Sequence, residues 1–186
     1  MAEPAKRKAT YEDLFTVPEN MTGEIIDGEL IVTPRPSRKH VATTSALGAE
    51  IIPPYWFGRG GGPGGWVILD EPEIRFGEDT LVPDMAGWKK GRFPVEEPHN
   101  WISVPPDWVC EVLSPGTVRT DRVKKMRIYA RHEVPHLWLI DPASRCLEVF
   151  RLESGRWVLL GVYVEDDKVR AEPFHEVEFE LATLWL

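Results

Sequence analysis

Two carboxylates in this sequence stand where burial is costly. Glu111 interrupts the apolar run WVCEVL at residues 108–113, and Asp84 lies inside LVPDMAGW at 81–88. Stripping water from an ionised carboxylate costs several kcal/mol unless a partner compensates. Carboxylates on adjacent strands, with a backbone carbonyl between them, form a hard oxygen site suited to magnesium. A cation there would offset the burial of both. An ion pair between Glu111 and a nearby Arg or Lys would do the same structural work, so the residue types leave both readings open.

A lysine favours the first. In TVRTDRVKKMRIYARH, from residue 117, a spacing of 100° per residue gathers Val118, Val123, Met126, Tyr129, Ala130 and Val134 into one apolar stripe. Lys124, Arg127 and Arg131 fall on the opposite, solvated face. Lys125 lies at the border, one turn from Asp121 and from Tyr129, and is the lysine able to turn toward the end of the preceding strand. Beside a metal–carboxylate pair, such an ammonium supports an attacking water or a developing phosphorane charge. Alone, it would be a stem snorkelling along the stripe.

Several elements must position these groups. In WVCEVL, alternation places Val109, Glu111 and Leu113 on one face and Trp108, Cys110 and Val112 on the other. Pro83 puts Asp84 at a strand end, a bulge or an edge. TYEDLFTVPEN begins a short helix at a Thr10–Asp13 capping box. GEIIDGELIVT is a hairpin turning at Asp27-Gly28, and RKHVATTSALGAEII is a helix expected to stop at Pro53-Pro54. GRGGGPGG at 58–65 reads as a flexible loop, either a flap or a spacer. WVILDEPEIRF and LVPDMAGW make a second hairpin around GEDT, with Glu73 a further acid able to approach the site. HLWLID is the strand after the basic helix, and CLEVFRL, WVLLGVYV and VRAEPF form a C-terminal meander. This order implies a mixed α/β domain with a central sheet over residues 10–186, preceded by a disordered tail, residues 1–9.

The sequence VPD at 82–84, EVL at 111–113 and SPGTVRTDRVKKMRIYARHEVPHLWLIDP from 114 resembles the Uma-type restriction endonuclease family of the PD-(D/E)XK nuclease superfamily. YEDLFTVPENMTGEIIDGELIVTPRPSRKH, from 11, is similar to that family's N-terminal pattern. The resemblance covers roughly residues 11–150. It implies a restriction-endonuclease-like mixed β-sheet flanked by helices, and magnesium-dependent hydrolysis of DNA, with manganese able to substitute. Asp84 would be the acid of the PD motif and a metal ligand, Glu111 the second ligand, and the Val112 carbonyl the third. Leu113 stands where the superfamily usually has its lysine, and Lys125 matches the position from which the following helix supplies it. Glu24 matches an N-terminal acid that some members place near the metal. Homodimers are common in the superfamily and are expected here.

Composition bounds the rest. A 42% apolar, 28% charged chain of 186 residues suits one globular domain, and no apolar run is long enough to cross a bilayer. Cys110 and Cys146 lack metal spacing and read as reduced structural thiols, which suits a cytoplasmic protein. His132 and His136 are separated by Pro135 and cannot share a helical zinc site. A net charge of -8 argues against a nucleic-acid coat protein, yet Arg122 and Lys124 belong to a local basic cluster and Arg38, Lys39 and His40 to another. These five are the candidate DNA contacts. The alternative to an active nuclease is a nuclease fold that has lost catalysis and serves as a DNA-binding or assembly module. A two-carboxylate glycosidase has no need of the lysine.

Overall fold

Asp27 and Gly28 both take positive φ, 52° and 79°, as a tight hairpin turn requires. They join β1 (Met21–Ile26) to β2 (Glu29–Pro34). Before them the short helix α1 (Tyr11–Leu14) starts where Asp13 accepts the Thr10 N–H at 2.7 Å. The structure, a computed structural model, describes residues 7–186. Most of the tail expected at residues 1–9 lies outside that range; within it, Ala9 N–H donates to the Gly28 carbonyl.

Helix α2 (Arg38–Tyr55) is capped by Ser37 and does not stop at Pro53-Pro54. Proline's fixed φ is helical, so the helix runs on for its last turn, forgoing the N–H bonds that residues 53 and 54 would donate to Ala49 and Glu50. The Gly-rich loop then folds back on that end. Arg59 and Gly64 donate N–H groups to the Pro53 and Pro54 carbonyls, and a side chain at Gly62 would collide with Pro54 at 2.3 Å. The loop is therefore tied back to the end of α2 opposite His40, along a helix about 27 Å long, while Gly60, Gly61 and Gly65 stand in open space.

The second hairpin is divided between two sheets. β3 (Trp66–Asp70) pairs with β6 (Met85–Lys89), and β4 (Ile74–Phe76) pairs with β5 (Asp79–Leu81). One register runs through both halves, from Asp70 opposite Met85 to Ile74 opposite Leu81, so Pro72 falls opposite Pro83. Neither can donate to a ladder, and Glu71 beside them has φ 45°. The hairpin splits there. Its tip joins the four-stranded sheet β2-β1-β5-β4, and its base enters the six-stranded sheet.

That larger sheet is completed by β7 (Trp108–Val112), β8 (His136–Asp141), β9 (Cys146–Glu153) and β10 (Arg156–Val164), in the order β10-β9-β8-β7-β6-β3. Only β7 and β8 are parallel, and the connection between them crosses over the sheet, as parallel strands demand. It contains a π-helical segment, Thr120–Lys125, followed by α3 (Met126–Arg131). The wider π turn shifts the buried face relative to a uniform 100° spacing: Val123 is exposed, while Asp121, Lys125 and Ile128 are buried. The last strands, β11 (Lys168–Ala171) and β12 (Phe174–Glu180), form a separate hairpin, followed by a 3₁₀ turn at Leu181–Leu184.

The alternation of β7 decides which core each side chain enters. Trp108, Cys110 and Val112 pack with Leu47 and Ile51 of α2 and with Phe174. Val109 and Leu113 pack with Ile128 and Tyr129 of α3 and with Ile26 of β1. Glu111, of the same parity as Val109, is thereby placed beneath α3.

Candidate active site

At the split in the hairpin the two sheets part, and a cavity of about 250 Å³ opens between them. Asp84, Glu111, Glu24, Lys125, Asp121 and His40 all line it. Asp84 reaches it because the β6 ladder begins only at Met85. In register it follows the Met85–Cys110 pair and so stands beside Glu111. Glu24 comes from the middle of β1 and Lys125 from the last turn of the π segment.

Lys125 is 4% exposed and surrounded by acid. Its Nζ lies 2.9 Å from Glu24 Oε1, 3.3 Å from Glu111 Oε2 and 3.4 Å from Asp121 Oδ1. Glu111, 2% exposed, also accepts the Tyr129 hydroxyl at 2.5 Å on Oε1. The ion-pair reading of Glu111 therefore holds in this structure, with Lys125 as the partner. Glu24 Oε1 accepts the Val82 N–H at 2.8 Å, which ties β1 to the strand end bearing Asp84.

Asp84 is held from two sides. Its Oδ1 lies 2.6 Å from His40 Nε2, and its Oδ2 accepts the Val112 N–H at 2.6 Å. Leu113 N–H turns the other way, to Ile140 of β8. The N–H and C=O of one strand residue face the same neighbour, so the Val112 carbonyl also faces the Asp84 side of β7.

The electrostatics follow from three carboxylates grouped around one lysine, with Asp84 beside Glu111. Burial pushes the Glu111 carboxyl well above its ordinary range; Lys125 pulls it back, while Asp121, Asp84 and Glu24 push further. Burial likewise raises Asp121, against Lys125. Burial pulls Lys125 down, but Glu111, Glu24 and Asp121 more than reverse this and leave it well above its ordinary value. Tyr129 is pushed well up by burial and by Glu111, so its hydroxyl stays a donor. The cluster sets several carboxylates against one lysine, and added positive charge would lower the cost of ionising them.

Among the described residues no three His, Cys, Asp or Glu side chains are grouped so as to hold a metal ion by themselves. Asp84, Glu111 and the Val112 carbonyl instead offer the partial oxygen set typical of magnesium, which keeps several waters and shares its shell with phosphate. The excess acid and the oxygen-only donors fit such an ion.

The other sequence candidates are scattered. His40 lies in the cavity wall but is engaged with Asp84. Arg38 and Lys39 are exposed on the first turn of α2, and Lys39 lines a separate groove with Thr43 and Pro142. Arg122 pairs with Glu148 of β9, and Lys124 with Glu29 of β2 at 3.0 Å. Glu73 does not approach the site; it accepts the Tyr11 hydroxyl at 2.5 Å. Asp121, the third carboxylate on Lys125, carries no assigned role in the sequence reading. Its one available signal was its position four residues before that lysine, as the lone acid in a basic segment.

Residues 9–184 match the model of the Uma2 family, described as "Putative restriction endonuclease". The crystal structure of "a putative nuclease belonging to DUF820" from Anabaena variabilis matches with a TM-score of 0.76 and 27% sequence identity, covering 95% of this chain and 97% of that one. No curated protein matches the chain.

Proposed function

Since the chain belongs to the Uma2 family, we propose that its cavity hydrolyses DNA phosphodiester bonds as a metal-dependent endonuclease. The observation that carries this reading is the convergence of Asp84, Glu111, Glu24 and Lys125, from four separate segments, on one cavity at the parting of two sheets. Asp84, Glu111 and the Val112 carbonyl would hold magnesium, or manganese in its place. Bound there, the ion supplies a water of lowered pKa and screens the phosphate charge.

The chain's own groups do the rest. His40 and the Val112 N–H fix the Asp84 carboxylate from both sides, so it need not reorganise when it is used. Lys125, held cationic by three carboxylates, donates to the attacking water or to the phosphoryl oxygen on which charge develops. Glu24 acts by steadying Lys125 and the strand end at Val82. The exposed Arg38 and Lys39 and the surface-paired Arg122 and Lys124 supply contacts to DNA phosphates. Exposed ion pairs are worth about 1 kcal/mol or less, so Arg122 and Lys124 exchange partners at little cost. Buried Cys110 and part-buried Cys146, both free, suit a cytoplasmic enzyme.

One observation favours the inactive module instead: in this structure every oxygen of Asp84 and Glu111 already has a partner within the protein. Calorimetric titration of Mn²⁺ and Mg²⁺ into the wild type and Asp84→Ala, followed by cleavage assays on supercoiled DNA, separates the two. The nuclease reading expects metal binding that Asp84→Ala loses and cleavage that requires the metal. Lys125→Ala should bind the metal and lose rate. Wild-type protein that binds DNA but neither metal nor cuts would be the binding module.

A further inference from the structure

Residues 51–69 and 85–95 of this acidic chain contain no Asp or Glu. The fold brings the two segments together at the end of α2 far from His40. Arg59 and Gly64 donate to the adjacent carbonyls of Pro53 and Pro54, and the Lys90 N–H donates to the Gly65 carbonyl at 2.8 Å. Lys89 stands opposite Trp66 in the ladder between β6 and β3. Arg59, Lys89 and Lys90 are exposed and have no ion-pair partner among the described residues. Asp107, whose carboxylate accepts the Lys89 N–H, is already paired with Arg92. A chain of net charge -8 thus keeps three uncompensated cations around one loop.

Two exposed rings precede the same loop. Trp56 and Phe57 lie nearly parallel, with an interplanar angle of 19° and centroids 5.4 Å apart, and are 37% and 53% exposed. Neither belongs to either core cluster. The Arg59 guanidinium carbon stands 5.1 Å from the Phe57 centroid, a cation–π contact that keeps the charge beside the ring. At the other end of the loop the Lys89 ammonium lies 3.9 Å from the centroid of Trp66. A side chain at Gly60, Gly61 or Gly65 would meet nothing, so the approach to the rings is open.

Exposed aromatic faces set among free cations suit an unpaired nucleic-acid strand, whose bases stack on the rings while its phosphates meet the cations. A duplex keeps its base faces inside its own stack and cannot use the rings. We propose that Trp56, Phe57, Arg59, Lys89 and Lys90 form a binding surface for single-stranded DNA, separate from the cavity. It lies about 22 Å from His40 along α2 and about 17 Å from Asp84 along β6. That the strand is DNA rests on the nuclease reading. That it is unpaired rests on the rings alone.

Fluorescence anisotropy of a labelled oligothymidylate of about twelve nucleotides, titrated with the full chain in EDTA so that no metal-dependent cleavage intervenes, tests the proposal. The wild type should bind the strand more tightly than a duplex of the same length. Trp56→Leu and Phe57→Leu, changes at exposed positions, should keep the far-ultraviolet circular dichroism and each weaken binding about tenfold, the worth of one stacked base. Lys90→Gln should lower the log–log salt slope by about 0.7, the share of one phosphate on a single strand. The proposal is overturned by a wild type that does not bind the strand or binds duplex as well. Wild-type affinity in both ring variants, an unchanged slope in Lys90→Gln, or tighter binding of oligouridylate overturns it too. A protein that binds metal and cuts supercoiled DNA yet fails these tests keeps the nuclease reading and loses this surface. One that binds the strand but takes up no metal does the reverse.

Discussion

Three carboxylates share one ammonium at Lys125, so removing the lysine and removing one acid should have unequal consequences. Breaking a buried ion pair from one side costs about 3–5 kcal/mol, because the remaining charge is left uncompensated. Lys125→Met leaves Glu24, Glu111 and Asp121 buried together and should lose about that much in metal-free urea unfolding. Glu111→Gln should lose less, because one buried negative charge is gone and the amide oxygen still accepts from one of the two donors, Tyr129 or Lys125. If Lys125→Met unfolds at the wild-type urea midpoint, the three acids are not ionised around the lysine as the distances suggest. Glu111→Gln is also the better probe of metal binding than Glu111→Ala, which would release Tyr129 and Lys125 along with the ligand.

Among the elements, the facing prolines of the split hairpin matter most to the site. Pro72 and Pro83 keep the ladder from closing beyond the bond from Glu71 N–H to the Asp84 carbonyl, and so leave the Asp84 side chain free to reach the cavity. Replacing both with valine restores two N–H donors and strand preference. The expected protein is at least as stable thermally but binds Mn²⁺ at least tenfold more weakly by calorimetry. Unchanged affinity would mean that something other than the prolines holds the sheets apart. Each proline was legible in the sequence, and Pro83 correctly marked a strand end. That the two face one another was not, because it depends on a pairing register set by residues on either side. The π segment was hidden for a related reason. Its local sequence reads as an ordinary helix, and the wider turn is visible only once Asp121 and Lys125 are both drawn inward to Glu24 and Glu111.

For the whole molecule, two responses to solvent follow. His136 sits at the start of β8 with its Nδ1 unpartnered, 3.9 Å from Glu172. Burial holds its pKa below the ordinary 6.5, with Glu172 pulling up and Arg151 pushing down. Above pH 6.5 the group is neutral folded or unfolded. As pH falls below that value the unfolded chain takes a proton that the folded chain resists, so stability declines. Thermal melts from pH 7.5 to 5 should fall more steeply for the wild type than for His136→Gln, and equal slopes would remove His136 from the account. DNA binding by a chain of net charge -8 depends on a few local cations. Its affinity should fall steeply with salt, with a slope of about −0.9 per phosphate neutralised on a log–log plot. Fluorescence anisotropy measures this directly, and a flat salt response would exclude phosphate contacts as the basis of binding.

The sequence by itself determined what local physics can specify. The two-residue period of WVCEVL put Glu111 on the face beneath α3. The Asp27-Gly28 turn and the basic helix stood where their residues placed them, and Asp84 and Glu111 were recognisable because carboxylates in apolar strands demand a partner. The tertiary structure decided who those partners are. His40 on Asp84 and Glu24 on Lys125 join residues through contacts that no spacing announces, and Arg122 and Lys124 meet surface acids from distant strands. The physical reason is that period and turn chemistry act over a few residues. Charge compensation in a buried site is settled only when separate segments converge and each must satisfy the others.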